Sequence, residues 1–259
     1  MLAPGKVNLS LLVGAPRADG LHPLVSLVQP TALADTVTIE PHTRDEVVCP
    51  GVTGENLALH AIEAFRAATG WDGPPQRVTI VKRIPIAGGM AGGSSDAAAT
   101  LKLLSDTSGL PIPPGLPARL GADVTVMVHA TRALMTGAGE HVEPLPGTKP
   151  PLVVVPLDAA LSAAAVYRAF DAHGTSRTPA ELDEAAHRIR AGAHDPVNDL
   201  QAAAIRLCPE IGRALDALHE AGVEHPLVSG SGPTVFGVSD DPDAPARLRA
   251  AGYPRATSA

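Results

Sequence analysis

A chain of 259 residues is long enough to bury one large core or two smaller ones without disulfide or metal staples. Its formal charge of −7 excludes the broad basic surface that a nucleic-acid partner would require. Two cysteines, Cys49 and Cys208, exclude a disulfide framework or a four-ligand zinc site and fit a reducing, cytoplasmic compartment, and aromatics at 2% leave the core to Ala, Val, Leu and Ile.

Val7 to Val13 reads as a strand interrupted by Asn8 and Ser10, which also breaks any leader-like apolar run. Thr36 to Glu40 alternates as a second strand. Asn56 to Thr69 has helical periodicity, with Leu57, Ala61, Ile62 and Phe65 on one side and Gly70 as its stop. A strand follows over Arg77 to Lys82, then the loop Pro85 to Gly93, then a helix over Ser95 to Leu104. Glu143 to Pro151 is rich in breakers and reads as a linker, which divides the chain into domains 1–146 and 150–259. Beyond it come the strand Leu152 to Val155, a helix over Ala163 to Ala172, a polar stretch, helices from about Asp199 and Pro209, and strands on either side of Ser229 to Pro233. Strands and helices mix without strict alternation, so the fold class is α+β. No apolar stretch is long enough to cross a bilayer, so no membrane is expected.

The most informative segment is Pro85-Ile86-Ala87-Gly88-Gly89-Met90-Ala91-Gly92-Gly93-Ser94-Ser95. Four glycines between a strand and an Ala-rich helix let backbone N–H groups approach a ligand without Cβ obstruction, and the helix adds the positive end of its dipole. This suits a polyphosphate. The plainer alternative is a flexible loop with Ser94 or Ser95 as an N-cap. Spacing argues against a P-loop, a dinucleotide fingerprint and a nucleophile elbow, since none of their patterns is present.

Together with Ala3-Pro-Gly-Lys-Val-Asn-Leu9 and Val228-Ser-Gly-Ser-Gly-Pro-Thr-Val-Phe236, this loop resembles the three motifs of the GHMP kinases. The resemblance implies an N-terminal ribosomal-protein-like α+β domain, a C-terminal ferredoxin-like domain, and ATP and Mg²⁺ as cofactors. Arg17-Ala-Asp-Gly-Leu-His22, Leu120-Gly-Ala-Asp123, Gly137-Ala-Gly-Glu140 and Asn198-Asp-Leu-Gln201 are similar to the branch that phosphorylates a cytidine-diphosphate alcohol. By that resemblance Lys6 and Asp123 form the catalytic pair, Asn8, His22 and Tyr167 meet the substrate, and Asn56 and Lys82 lie near the adenine. Pro85 to Ser95 would wrap the phosphates. Leu21 stands where the family usually has an aromatic, and Thr125 and Met127 also depart from its pattern.

Read in isolation, each residue has a plainer role. Lys6 would be a solvated charge, Asp123 a cap or turn, His22 a surface residue, Tyr167 part of a core stripe with Phe170, and Asn198-Asp199 a helix cap. The competing functions are a kinase for another alcohol, of homoserine or mevalonate type, and a non-catalytic binding protein on the same scaffold.

Overall fold

The computed structural model describes residues 1–259. In chain order the elements are β1 (Leu2–Val13), β2 (Leu24–Pro41), β3 (Glu46–Val48), α1 (Leu57–Thr69), β4 (Gln76–Val81), α2 (Gly92–Ser108), α3 (Leu116–Leu120), α4 (Ala122–His129), β5 (Ala133–Thr136) and β6 (His141–Pro144). They continue as β7 (Leu152–Val155), α5 (Ala163–His173), α6 (Pro179–Arg190), α7 (Gln201–Leu207), α8 (Glu210–Glu220), β8 (Glu224–Val228), β9 (Val235–Val238), α9 (Ala244–Ala250) and β10 (Thr257–Ser258).

The chain forms two compact units. The first comprises Met1–Gly5, Leu33–Ile86 and Ala91–Ala130, and the second comprises Lys6–Ala32, Ala87–Met90 and Thr131–Ala259. Strands β1 and β2 each run from one unit into the other.

In the first unit the C-terminal part of β2 pairs antiparallel with β4, from Thr36 opposite Val81 to Pro41 opposite Gln76, and β3 joins β4 in parallel. Helix α1 starts and stops where the sequence predicts. Asn56 caps it by accepting the Ala58 N–H at 3.0 Å, and Gly70 ends it at φ 70°, a left-handed conformation that glycine adopts without Cβ strain. Ala58, Ala61, Ile62 and Phe65 are its buried face.

In the second unit β5 pairs with the N-terminal part of β2, with Leu27 opposite Leu134, and β6 pairs with β5. A separate antiparallel sheet has the order β10-β7-β9-β8. Val153, Val155, Phe170, Leu200, Ile211, Leu218 and Val235 share the core formed with it. Aliphatic residues dominate this core, as the composition requires.

Two of the helices have no counterpart in the sequence reading. The polar stretch after α5 contains α6, opened by a reciprocal capping box between Thr178 and Glu181 with Pro179 in the first turn. The segment Ala122–His129, which the sequence reading assigned to no element, is the helix α4. Val124, Val126 and Met127 are buried there, so tertiary packing overrides β-branched propensity.

Candidate active site

The second unit gathers three distant segments around one lysine. Lys6 is buried in β1, and its Nζ donates to Asn8 Oδ1 at 2.9 Å, because residues two apart share a strand face. Asn8 Nδ2 donates in turn to Ser26 Oγ at 2.8 Å, and Ser26 Oγ donates to the Ser10 carbonyl at 2.7 Å. The Lys6 N–H donates to the Met90 carbonyl at 3.0 Å, which ties β1 to the glycine loop. Ser229 Oγ donates to the Gly89 carbonyl at 3.0 Å, and the Thr234 N–H reaches the Gly88 carbonyl at 3.2 Å. A Cβ on Gly230 would lie 3.5 Å from Lys6 Nζ and 3.4 Å from Asn8 Oδ1. Lys6, Asn8, Gly88, Gly89, Met90 and the 229–230 turn therefore meet.

Asn198 is more than the helix cap its sequence suggests. Its Oδ1 accepts the Leu200 N–H, while its Nδ2 donates to the carbonyls of Val228 and Gly230 at 2.8 and 2.7 Å. It thus holds the turn that approaches Lys6. The neighbouring Asp199 accepts the Val13 N–H and a two-nitrogen fork from Arg177.

Along the glycine loop, positive φ recurs at alternate residues: 55° at Ala87, 77° at Gly89 and 54° at Ala91. Such alternation turns successive N–H groups toward one side, the geometry of an anion-binding nest. Left-handed alanines cost about 1–2 kcal/mol each, so the loop holds two residues in a conformation their side chains oppose. Gly89 is required for a second reason, since a Cβ there would lie 2.4 Å from the Ser229 carbonyl oxygen. At Gly93, by contrast, a Cβ would meet no protein atom within 4 Å.

The expected N-cap at Ser94 or Ser95 is corrected. Helix α2 begins at Gly92 after Ala91, with no side-chain cap, and Ser95 Oγ instead donates to the Pro4 carbonyl at 2.7 Å. Its first turn therefore presents backbone N–H groups rather than a capping hydroxyl.

In the first unit Lys82 lies between two buried carboxylates. Its Nζ donates to Asp35 Oδ2 at 2.5 Å and to Asp96 Oδ2 at 2.7 Å. Burial disfavours the ammonium, but the two carboxylates outweigh it and hold the Lys82 pKa above the ordinary lysine value. Asp96 is pushed up to about 6 by burial, against the opposing pull of Lys82 and with further help from the Asp35 charge. Asp123 stands in the first turn of α4, where the helix dipole favours a carboxylate.

A third cluster lies in the second unit at the loop 17–22. His22 Nε2 lies 2.7 Å from Asp171 Oδ1, within hydrogen-bond distance of the carboxylate. The His22 ring centroid is 4.9 Å from that of Tyr167 at an interplanar angle of 32°. Tyr167 also packs partly against the unit's core, the plainer of the two roles the sequence suggests. Asp171 escaped sequence reasoning. Its position four residues after Tyr167, on the same face of α5, was the available signal. Leu21 beside His22 is 53% exposed.

The descriptions of two family models match this chain: the GHMP kinases N terminal domain over residues 56–135 and the GHMP kinases C terminal over 162–255. A 4-diphosphocytidyl-2-C-methyl-D-erythritol kinase from Nocardioides sp. is 43% identical, with 90% of this chain and 86% of that protein covered. One from Kineococcus radiotolerans is 38% identical over 95% and 83% of the two chains. A crystal structure of 4-(cytidine 5'-diphospho)-2C-methyl-D-erythritol kinase matches with a TM-score of 0.82 at 34% identity, covering 100% of this chain and 97% of that one. A homoserine kinase from Cytophaga hutchinsonii, at a TM-score of 0.62 and 14% identity over 100% and 91% of the chains, shares the fold alone.

Proposed function

The chain belongs to the GHMP kinase family, and from that premise we propose that it transfers the γ-phosphoryl group of ATP to the 2-hydroxyl of 4-diphosphocytidyl-2-C-methyl-D-erythritol, in the non-mevalonate route to isoprenoid precursors. The observation that carries the reading is the convergence of Lys6, Asn8, the backbone of Gly88 to Met90 and the 229–230 turn. A buried cation beside a nest-forming glycine loop suits a phosphoryl group in transfer.

Asp123 is the base in this reading. Its carboxylate accepts the proton of the substrate hydroxyl as that oxygen bonds to the γ-phosphorus and the bond to the β-phosphate oxygen breaks, releasing ADP. Lys6 offsets the charge that grows on the transferring group, and Asn8 orients Lys6. Pro85 to Ser95 hold the phosphates, with Asn56 and Lys82 on the nucleotide side. Mg²⁺ bound with the nucleotide beside Pro85 to Ser95 would supply further neutralisation of the phosphate charge. No group of three His, Cys, Asp or Glu side chains is placed to hold a metal ion.

His22 and Tyr167 recognise the cytosine. A neutral His22 with its Nε2 proton held by Asp171 offers Nδ1 to the exocyclic amine, a donor that uracil lacks. The order of the two family models supports assigning residues 1–146 to the N-terminal domain and 150–259 to the C-terminal one.

The test is ADP formation by the purified protein with the cytidine substrate, homoserine and mevalonate offered in turn with ATP and Mg²⁺. Turnover restricted to the cytidine substrate is expected. A preference for either of the other alcohols would reassign the chain within the family, and no turnover with any would favour a binding protein.

A further inference from the structure

Asp35 holds three consecutive residues at the point where a sheet hands the chain to the glycine loop. The β2–β4 ladder ends at Thr36 opposite Val81, so Arg83 and Ile84 lie beyond its last register pair. Asp35, fully buried in β2, accepts both of their N–H groups on Oδ1, at 2.5 and 2.8 Å, and the Lys82 ammonium on Oδ2 at 2.5 Å. Ile84 is itself buried, so its N–H would otherwise lack both water and a ladder partner.

The same ammonium reaches the other end of the loop. Lys82 Nζ donates to Asp96 Oδ2 at 2.7 Å, one residue past Ser95 in α2. Gly92, which opens α2, closes against this strut: a Cβ there would lie 3.0 Å from Ile84 Cγ2 and 3.1 Å from Lys82 Nζ. Residues 82–84 before the loop and residues 92–96 after it are thus bound through one buried Asp-Lys-Asp chain.

We propose that Asp35 and Asp96 are positioning residues for nucleotide binding, acting through Lys82 to fix the separation and direction of the two ends of the phosphate loop. A loop whose ends are set before the ligand arrives loses less entropy on binding. The inference rests on the kinase reading only in taking ATP as the loop's ligand.

The charge count separates this role from simple structural support. Two buried carboxylates share one lysine, and Asp96 Oδ1 has no hydrogen-bond partner. The groups around Asp96 are Lys82 and Asp35, and Cys49 lies within electrostatic range. Burial raises the Asp96 pKa to about 6, above that of the unfolded chain, so the native state prefers the protonated form. Keeping Asp96 ionised at neutral pH therefore costs stability, and this cost disappears as pH falls through 6 toward 4. A neutral residue would serve folding better.

Asp96→Asn and Asp35→Asn are compared with the wild type by calorimetric titration with Mg²⁺ and adenylyl imidodiphosphate, by titration with the cytidine substrate, and by thermal melting at pH 7.5 and 5. Asp96→Asn is expected to melt higher than wild type at pH 7.5, with the gain shrinking at pH 5, and yet to bind the nucleotide analogue roughly tenfold more weakly. Asp35→Asn should weaken the analogue by roughly ten- to a hundredfold, the scale of a misplacement near 1 Å. Both should bind the cytidine substrate within about twofold of wild type. Unchanged nucleotide affinity in Asp96→Asn would overturn the proposal, whether or not Asp35→Asn folds. So would equal loss of both ligands in a folded Asp96→Asn. A wild type that binds no analogue would instead remove the kinase reading on which the test depends, and this inference with it.

Discussion

Gly89 and Gly20 have nearly the same backbone angle, φ 77° and 78°, but they serve different purposes. A Cβ on Gly89 would run into the carbonyl of Ser229, while a Cβ on Gly20 would meet nothing within 4 Å. The first glycine lies where backbone packs on backbone beside Lys6, and the second in a turn ending at an exposed Leu21 and a buried His22. In the proposed mechanism the reaction side is the Lys6 side of the second unit, fixed by main-chain contact, and the recognition side is the surface loop at His22, held by a few side chains. Changes on the reaction side should therefore act on turnover with every substrate. Changes on the recognition side should act on the cytidine substrate alone.

The largest effect expected is that of Asp123→Asn, whose carboxamide keeps the carboxylate's shape but cannot take the proton. Turnover should fall by roughly two to four orders of magnitude with nucleotide affinity nearly unchanged, as steady-state rates and calorimetry would show. Gly89→Ala comes next. Either the 229–230 turn or the loop must shift, and kcat should drop by about a hundredfold for all substrates, while a normal rate would mean that the turn moves aside freely.

Tyr167→Ala should raise KM for the cytidine substrate by roughly ten- to a hundredfold, matching a stacking contribution of about 1–3 kcal/mol, and leave KM for ATP alone. If KM for both substrates rose together, the core packing of Tyr167 would account for the change. Gly20→Ala should lower stability by only about 1–2 kcal/mol, the cost of a left-handed alanine, and leave kcat intact. Denaturant melts measure the first and an assay at saturating substrate the second. The smallest effect is expected from Leu21→Tyr. An added aromatic face contributes about 0.5–1.5 kcal/mol, so the cytidine substrate should bind a few-fold more tightly, and weaker binding would place the base away from residue 21.

Helix α1 was legible because its cap, its periodicity and its stop all agree at Asn56, Ile62 and Gly70. The capping box of α6 was equally plain in Thr178 and Glu181, but the polar run around it concealed a helix that buries only Leu182, Ala186 and Ile189. Helix α4 was not legible, because its alternating valines are a strand signal when local sequence is all that is weighed. Lys6, Asn8 and the glycine loop could be named from motif order. Asp35 could not, since no spacing rule connects it to Lys82 and Asp96. Only the end of the β2–β4 ladder explains why an acid is needed there.

The interleaving of the two units also governs how the chain can fold during synthesis. Every residue of the first unit lies within the first 130, so it is fully available once that length has emerged. Residues 6–32 emerge among the earliest and pair β1 with β2, yet their other partners in the second unit begin only at residue 131, apart from the short segment 87–90. Closing those pairings spans a long loop, which raises contact order and slows folding. Until those partners arrive, the apolar stretch Val7 to Val13 and the first half of β2 can pair only with each other, with their outer edges open. A nascent chain stalled between residues 130 and 150 would therefore expose two hydrophobic edges, the state in which chaperone capture competes with aggregation.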